Sequence, residues 1–411
     1  MMINSSRLAR QRRKKQWTRK RVQNISRRLL LLPILGSLAV FLTVLSVLGS
    51  FMVLTLTPAA IYPSVAPLFV HLVHTRFQQN QPNLLALGRA RLLLFQTFCL
   101  PTMVAQTTQK FLWIIHTDPH LHHSLRTELV DMLRPYPHFY LIGTNVNMNL
   151  DSNQTSWKDG DQGQLLLQSP IYTGDVTLLQ QAHGMRNDVQ LLLETRLDAD
   201  DGLHSNYLDI VQSSALVLFT TTEEESSPPP FMYWCSKRHL EWFLGNVIQA
   251  VEHSKLCISA GITVGYRNTL IAGGRTGAAT AVLVPRYSHD VLYKSLIRDG
   301  YGNSCLTFIT ELPFCAIRSR TPTSAGMKDI LVPSTRSSTS SMNKLWNIAK
   351  DTFHISSTEQ VETYFNNHLV EIAKDNLAGQ CTNGHSCKMK AKEELQRLIE
   401  QGSIPIKDGL V

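Results

Sequence analysis

The feature that most constrains this chain is an apolar run that leads directly into a cluster of aspartates. Leu191 to Leu193 is typical of a buried strand, and Asp198, Asp200 and Asp201 follow it closely. Carboxylates this close together repel one another unless a cation neutralises them. The segment therefore predicts a strand that ends at a divalent-cation site, with a phosphate-bearing ligand bound through the cation.

The aspartates could also belong to an EF-hand loop or to a solvated acidic turn. An EF-hand needs glycine at its sixth position, where this chain has Leu203. The solvated turn stays open on spacing alone, because short D-x-D sequences are common. In the metal interpretation the ion is Mn²⁺ or Mg²⁺, since both prefer hard oxygen ligands and complete their coordination with substrate phosphates.

Apolar runs typical of strands alternate with helical patterns along the middle of the chain. This alternation predicts an α/β fold with a mostly parallel, mixed sheet flanked by helices. The carboxyl ends of parallel strands meet at one edge, so Arg76, Asp118 and Asp198, which follow three different strands, should converge there. The expected strands are 68–73, 111–115, 139–142 and 190–193, and the expected helices are 89–103, 122–133 and 170–188.

The positive charge of the chain is concentrated at its N-terminus. The formal net charge is +9, but residues 1–28 contain eleven Lys and Arg and no acidic residue, which leaves about −2 for the rest. Residues 29–57 are apolar and uncharged, and exceed the roughly 20 residues that cross a bilayer. A cleaved signal peptide, the alternative, usually has an apolar core of about 7–15 residues. We therefore expect a type II single-pass membrane protein of the Golgi or endoplasmic reticulum, and no nucleic-acid binding.

These patterns divide the chain into five segments. A luminal location also suits Asn153, which begins an Asn-Gln-Thr glycosylation acceptor in a polar stretch. The segments are a basic cytosolic tail at 1–28, a transmembrane anchor at 29–57, a short stem at 58–67, a catalytic domain at 68–330, and a Ser/Thr-rich linker with a helical appendage at 331–411.

Seven cysteines follow the predicted anchor, where an oxidising lumen would permit disulfides. Cys305 and Cys315 are close enough in sequence for a local disulfide, as are Cys381 and Cys387. Zinc is the alternative at the second pair because His385 lies between the two thiols. The pairing itself cannot be read from the sequence.

The segment Thr195-Arg-Leu-Asp-Ala-Asp-Asp201 resembles the D-x-D-D element of GT-A glycosyltransferases and, more narrowly, the rhamnosyltransferase family. Shorter pieces occur in the order of that family, among them Thr75-Arg-Phe77, Phe111-x-Trp113 and Trp234-Cys235. The resemblance covers roughly residues 68–326. It leaves out the basic tail, the anchor and the C-terminal appendage.

The resemblance implies a GT-A-like, Rossmann-related fold and a hexosyltransferase. Such an enzyme moves a sugar, rhamnose by the family name, from a nucleotide-sugar donor to an acceptor hydroxyl, with inversion. The residues it implies are Asp198 and Asp200 for the metal, Arg76, Asp118, Arg196 and Asp198 for the donor nucleotide, and Asp201 as a support of the strand end.

The residues themselves leave several roles open. Arg76 and Arg196 could equally form structural ion pairs with the aspartates. An inverting transfer needs a base, for which Asp290, Glu311 and His289 are candidates without a distinguishing spacing.

Two alternative functions are compatible with the same patterns. They are a non-catalytic luminal carbohydrate-binding protein and a metal-dependent phosphoesterase. A zinc site is not expected at a nearby group of histidines, because no carboxylate partner stands at ligand spacing, and we interpret them as exposed loop residues. These are His116, His120, His122 and His123.

Overall fold

The computed structural model describes the folded part of the chain in seven stretches and two single residues. They belong to one compact unit, Ala66–Val411. The predicted tail, anchor and stem, and the Asn153 acceptor, lie outside the described residues. Those residues are 69–144, 165–184, 191–220, 229–252, 257–267, 287, 291–321, 323 and 339–380.

The strands and helices alternate through the first two thirds of the described chain. The strands are β1 (Phe69–Phe77), β2 (Leu112–Thr117), β3 (Phe139–Gly143), β4 (Leu191–Asp198), β5 (Asp201–Leu203), β6 (Phe231–Ser236), β7 (Arg238–Phe243), β8 (Val247–Glu252), β9 (Thr263–Arg267), β10 (Leu306–Ile309) and β11 (Ala316–Arg320). The helices are α1 (Leu85–Leu94), α2 (Leu100–Val104), α3 (His123–Leu133), α4 (Val176–Gly184), α5 (Tyr207–Thr220), α6 (Leu292–Arg298), α7 (Thr339–Phe353) and α8 (Glu359–Gln380), with a π-helical turn at Phe95–Cys99 between α1 and α2 and a 3₁₀ turn at Gly302–Cys305.

Within the described residues, the central sheet has seven strands in the order β10-β6-β9-β4-β1-β2-β3. β9 runs antiparallel to β4 and β6, and the other pairings are parallel. Separate hydrophobic clusters cover the two faces, with Val73 and Leu193 in one and Leu72 and Leu192 in the other. Both faces are buried, which is why these strands are continuous apolar runs in the sequence. The expected mixed α/β fold with a mostly parallel sheet and flanking helices is confirmed.

A second sheet has the order β5-β11-β7-β8 among the described strands. One of its faces packs on α1 and the C-terminal helices, where Trp242, Ile317 and Phe365 share a third hydrophobic cluster with Leu87. The side chain of Asp375 in α8 accepts a hydrogen bond from the backbone N–H of Leu87. The division into a catalytic domain and an appendage at residue 330 stays a prediction, although α7 and α8 pack into this common cluster.

A disulfide joins Cys235, in β6, to Cys257, just before β9. This disulfide was not among the two expected local pairs. The expected pair Cys305–Cys315 does not form, because both are buried free thiols. Cys305 ends the 3₁₀ turn and Cys315 directly precedes β11, so β10 lies between them. The expected pair Cys381 and Cys387 lies outside the described residues.

The expected single-pass localisation has to be corrected. In the part of the chain that the structure describes, no helix combines the length and the apolar character that crossing a bilayer requires. This finding is against a type II membrane protein of the Golgi or endoplasmic reticulum. The segment predicted to be the anchor, 29–57, lies outside the described residues.

Candidate active site at the junction of the two sheets

Side chains from three adjacent parallel strands form a polar row at the carboxyl edge of the central sheet. Arg76 in β1 lies in register with His116 in β2 and with Asp198 in β4. Two residues earlier in the same two strands, His74 lies in register with Arg196. Side chains alternate between the faces of a strand, so residues paired in register project to the same face. The fold therefore brings Arg76, Arg196 and Asp198 together.

Asp118 follows β2 at the same edge and is buried. One of its carboxylate oxygens accepts a hydrogen bond of 2.8 Å from the backbone N–H of His120. This bond fixes the turn between β2 and α3, in the way that aspartate side chains commonly stabilise turns. The structure thus places Asp118 beside the row, with one carboxylate oxygen engaged by the protein backbone.

Asp198 is held ionised by arginines. Burial alone would raise its pKa, but the charges of Arg196, Arg76 and Arg318 together lower it. Arg196 Nη2 lies 3.6 Å from Asp198 Oδ1, and 30% of the Asp198 side chain is exposed. Asp198 is therefore an accessible carboxylate that can accept a cation or a ligand hydroxyl.

Asp200 lies in the short link between the two sheets. Burial and the charge of Asp198 raise its pKa. The hydroxyl of Ser319 donates a hydrogen bond of 3.3 Å to Asp200 Oδ2. Two carboxylates near enough to disturb each other's ionisation are a suitable pair for a divalent cation, which would relieve their repulsion.

Asp201 is buried and belongs to the second sheet. It opposes Arg318 across the β5–β11 pairing, and Arg318 Nε lies 3.5 Å from Asp201 Oδ2. Burial raises the pKa of Asp201, while the charge of Arg318 counteracts that effect. The neighbouring Gly202 leaves no room for a side chain, because a Cβ there would lie 2.7 Å from the backbone oxygen of Phe98. Asp201 therefore anchors the chain directly after the two other aspartates.

The carboxylates of this site could supply only part of the coordination sphere of Mn²⁺ or Mg²⁺. Among the described residues, no group of three or more His, Cys, Asp or Glu side chains is arranged to hold a metal ion. Asp198 and Asp200 would supply two hard oxygen donors, and Mg²⁺-type ions are often held by one or two carboxylates plus substrate phosphates. The site thus suits an ion that binds together with a diphosphate.

A second charged network lies beside Asp201 on the second sheet. Glu241 is buried, and Arg320 Nε donates a 2.7 Å hydrogen bond to its Oε1, with His239 Nε2 at 3.3 Å from the same oxygen. Gln249 donates to Glu241 Oε2 at 3.1 Å. Although burial raises the pKa of Glu241, His239 and Arg320 lower it to about 2. Local sequence patterns do not indicate this network, because its members come from three strands.

Two buried histidines adjoin Arg76, and sequence patterns missed the pair. His74 Nδ1 and His116 Nε2 are 3.0 Å apart, and the two rings are stacked. The interpretation of His116 as an exposed loop residue is wrong, since β2 extends to Thr117 and His116 is fully buried. His120, His122 and His123 are exposed, as expected. His74 and Arg76 are two positions apart in β1, the spacing of side chains on one face of a strand. This spacing was the signal available in the sequence.

Of the three base candidates, Glu311 alone lies among the described residues. Glu311 lies in the exposed segment between β10 and β11, where its side chain accepts a hydrogen bond from the backbone N–H of Thr310. Its charge acts on the buried thiol of Cys315. Asp290 and His289 lie outside the described residues. The base therefore stays a prediction.

Comparison with known proteins gives one family match. The matched segment contains β2, α3, β3 and Asp118, but ends before the aspartate cluster. No curated protein matches the chain. Residues 80–164 match the family model described as "Putative rhamnosyl transferase", which confirms the resemblance to that family over this segment and suggests a glycosyltransferase.

Proposed function

We propose that this protein is a glycosyltransferase with a GT-A-like fold that moves a sugar from a metal-bound nucleoside diphosphate sugar to an acceptor hydroxyl. The observation that carries the proposal is the meeting of Asp198 and Asp200 with Arg76 and Arg196 at the carboxyl edge of parallel strands. Ligands of α/β sheets bind at this edge. Rhamnose as the transferred sugar follows only the description of the matched family.

The aspartates would bind the metal ion, and the arginines would bind the phosphates. Asp198 and Asp200 would hold Mn²⁺ or Mg²⁺, and the ion would neutralise charge on the leaving diphosphate. Arg76 and Arg196 would donate to phosphate oxygens, since a guanidinium can form two parallel hydrogen bonds with a phosphate. Both are partly exposed, so their donors can reach a ligand.

The nucleobase would bind beside Asp118, at the end of the polar row formed by β2. Asp118 follows β2 and would accept a hydrogen bond from the nucleobase, an assignment that rests on resemblance to GT-A enzymes. Asp201 would keep the aspartate link in place through its pairing with Arg318. We further propose inversion at the sugar, with Asp290 or Glu311 as the base.

Replacement of Asp200 by asparagine tests the metal assignment. Asp200→Asn keeps the shape and the contact with Ser319 but removes one anionic ligand. We expect kcat/KM for Mn²⁺-dependent transfer to fall about 100-fold or more, because loss of a metal interaction worth several kcal/mol removes a factor of ten per about 1.4 kcal/mol. The measurement is release of nucleoside diphosphate in the presence of an acceptor.

A matched control is available in Asp299, an exposed aspartate paired with Arg298 after α6. Asp299→Asn should leave transfer within about twofold of wild type, since surface pairs contribute little. Equal activity of the Asp200→Asn protein and the wild type would remove Asp200 from the metal site. Release of inorganic phosphate without sugar transfer would instead indicate a phosphoesterase.

A further inference from the structure

Arg318 differs from Arg76 and Arg196 because it comes from the second sheet. It lies in β11, between Asp201 of β5 and Glu241 of β7 in the register of that sheet. Its side chain is 19% exposed. The guanidinium therefore acts on the aspartates from a different sheet than the one that carries Arg76 and Arg196.

The hydrogen-bonding capacity of Arg318 is largely unused within the described part of the protein. Its Nε is buried, yet makes no hydrogen bond there, and the same holds for Oδ2 of Asp201 at 3.5 Å. The pair is thus an ion pair without directional hydrogen bonds. Arg320 differs, since its Nε and Nη2 are both directed at Glu241, at 2.7 and 2.5 Å. A guanidinium has five N–H donors, and a buried donor such as the Nε of Arg318 is costly to leave unsatisfied.

The charge of the site indicates what would satisfy those donors. Among the described residues, five arginines and four acids act on one another here, which gives a formal charge of +1. A divalent cation alone would raise that charge to +3, whereas a diphosphate bound with it would offset the excess. The groups are Arg76, Arg91, Arg196, Arg318, Arg320, Asp198, Asp200, Asp201 and Glu241.

We propose that Arg318 binds the diphosphate of the donor from the second sheet, as a third phosphate-binding arginine. Arg76 and Arg196 would contact the diphosphate from the central sheet, and Arg318 would contact it from the second sheet. The inference rests on the proposed function, because it takes a nucleoside diphosphate sugar as the ligand. It assigns to the second sheet a part in donor binding.

The test is calorimetric binding of inorganic pyrophosphate in the presence of Mn²⁺ to the full chain. Removing Arg318 alone would leave Asp201 buried without its cation, which can unfold a protein. The informative protein is therefore Arg318→Met/Asp201→Asn, compared with Asp201→Asn alone. Thermal unfolding of both proteins verifies that they fold.

Asp201→Asn, which lacks the Asp201 charge but keeps Arg318, is the reference protein against which the double variant is compared. Arg318→Met/Asp201→Asn should bind roughly 10- to 100-fold more weakly than Asp201→Asn, the usual range for hydrogen bonds to charged groups. Arg318→Lys should fall between wild type and the double variant, since lysine keeps the charge without the planar donor pair.

Arg238 of β7 is the matched arginine control. Its guanidinium donates to the backbone oxygens of Thr310 and Leu312, so Arg238→Met should leave pyrophosphate binding unchanged. Equal affinity of Asp201→Asn and the double variant would overturn the proposal, as would a wild type that does not bind pyrophosphate with Mn²⁺. Arg318-dependent binding in a protein that transfers no sugar would support this site and contradict the proposed function alone.

Discussion

Glu241 is a carboxylate whose ionisation contributes to the stability of the second sheet. His239, Arg320 and Gln249 surround it, and its pKa falls from 4.5 to about 2. An acid whose pKa is lower in the folded state stabilises the fold above its unfolded pKa. That contribution is lost as the pH falls through the folded pKa. Glu241 should therefore stabilise the protein at neutral pH and cease to do so in acid.

Glu241→Gln tests this linkage. Above about pH 5, we expect the free energy of unfolding of the variant to be about 3 kcal/mol lower than that of wild type. This is the free energy that corresponds to the lowering of the Glu241 pKa. The difference should shrink between about pH 4.5 and 2. Denaturant unfolding over a pH series measures it. Buried His71, whose pKa is lowered to about 3 by burial, affects both proteins alike, so only their difference is informative.

An exposed glutamate provides the control for this experiment. Glu252 ends β8 on the surface, and Glu252→Gln should match wild type at every pH. A Glu241→Gln protein whose deficit does not change between pH 7 and 3 would show that the carboxylate charge is not the source of the stabilisation.

The sequence could predict the site residues that follow strands, because a strand end has a local signature. Asp198 and Asp200 follow an apolar run, and Arg76 and Asp118 follow two others. Arg318 had no such signature, since it meets Asp201 and Glu241 only through pairings between distant strands. Residues joined by tertiary pairing cannot be recognised from local patterns.

At the scale of the elements, the disulfide closes the base of the β7–β8 hairpin. Cys235 and Cys257 are separated by 22 positions, and both hairpin strands lie between them. The hairpin carries His239, Glu241 and Gln249, so the disulfide limits the freedom of the chain that forms the charged network.

Removal of this disulfide should lower stability. For a loop of this length, we expect Cys235→Ala/Cys257→Ala to reduce the free energy of unfolding by about 3 kcal/mol, mainly through greater freedom of the unfolded chain. Denaturant unfolding gives the value. Reductant should destabilise wild type by a similar amount and leave the double variant unaffected. Two reactive thiols at these positions in the unreduced folded protein would contradict the pairing.

Element boundaries were predictable where periodicity was strong. The expected helix at 122–133 is observed as α3, and the strands of the parallel core lie close to their expected positions. Composition alone is misleading in α5, which continues as a helix to Thr220. Its Leu/Val/Phe-rich end resembles a strand in composition but packs as a helix. The short strands of the second sheet had no separate signal.

At the scale of the whole molecule, the two sheets and the C-terminal helices meet around α1. Arg91 of α1 hydrogen bonds to Gln78 and Gln81 and acts electrostatically on Asp200. Leu87 of the same helix shares a hydrophobic cluster with Phe365 of α8. The C-terminal helices thus pack against a helix that contributes to the site. This relation could not be predicted, because the family resemblance ends before them.

The most direct test of the account is an assay of the full chain with a panel of nucleoside diphosphate sugars, rhamnose donors included, with Mn²⁺ or with a chelator. Products would be identified by mass spectrometry. We expect a glycosylated product and free nucleoside diphosphate with Mn²⁺, and neither with chelator. Transfer at full rate in chelator would contradict the metal site. An absence of transfer from every donor, with carbohydrate binding intact, would contradict the enzyme itself.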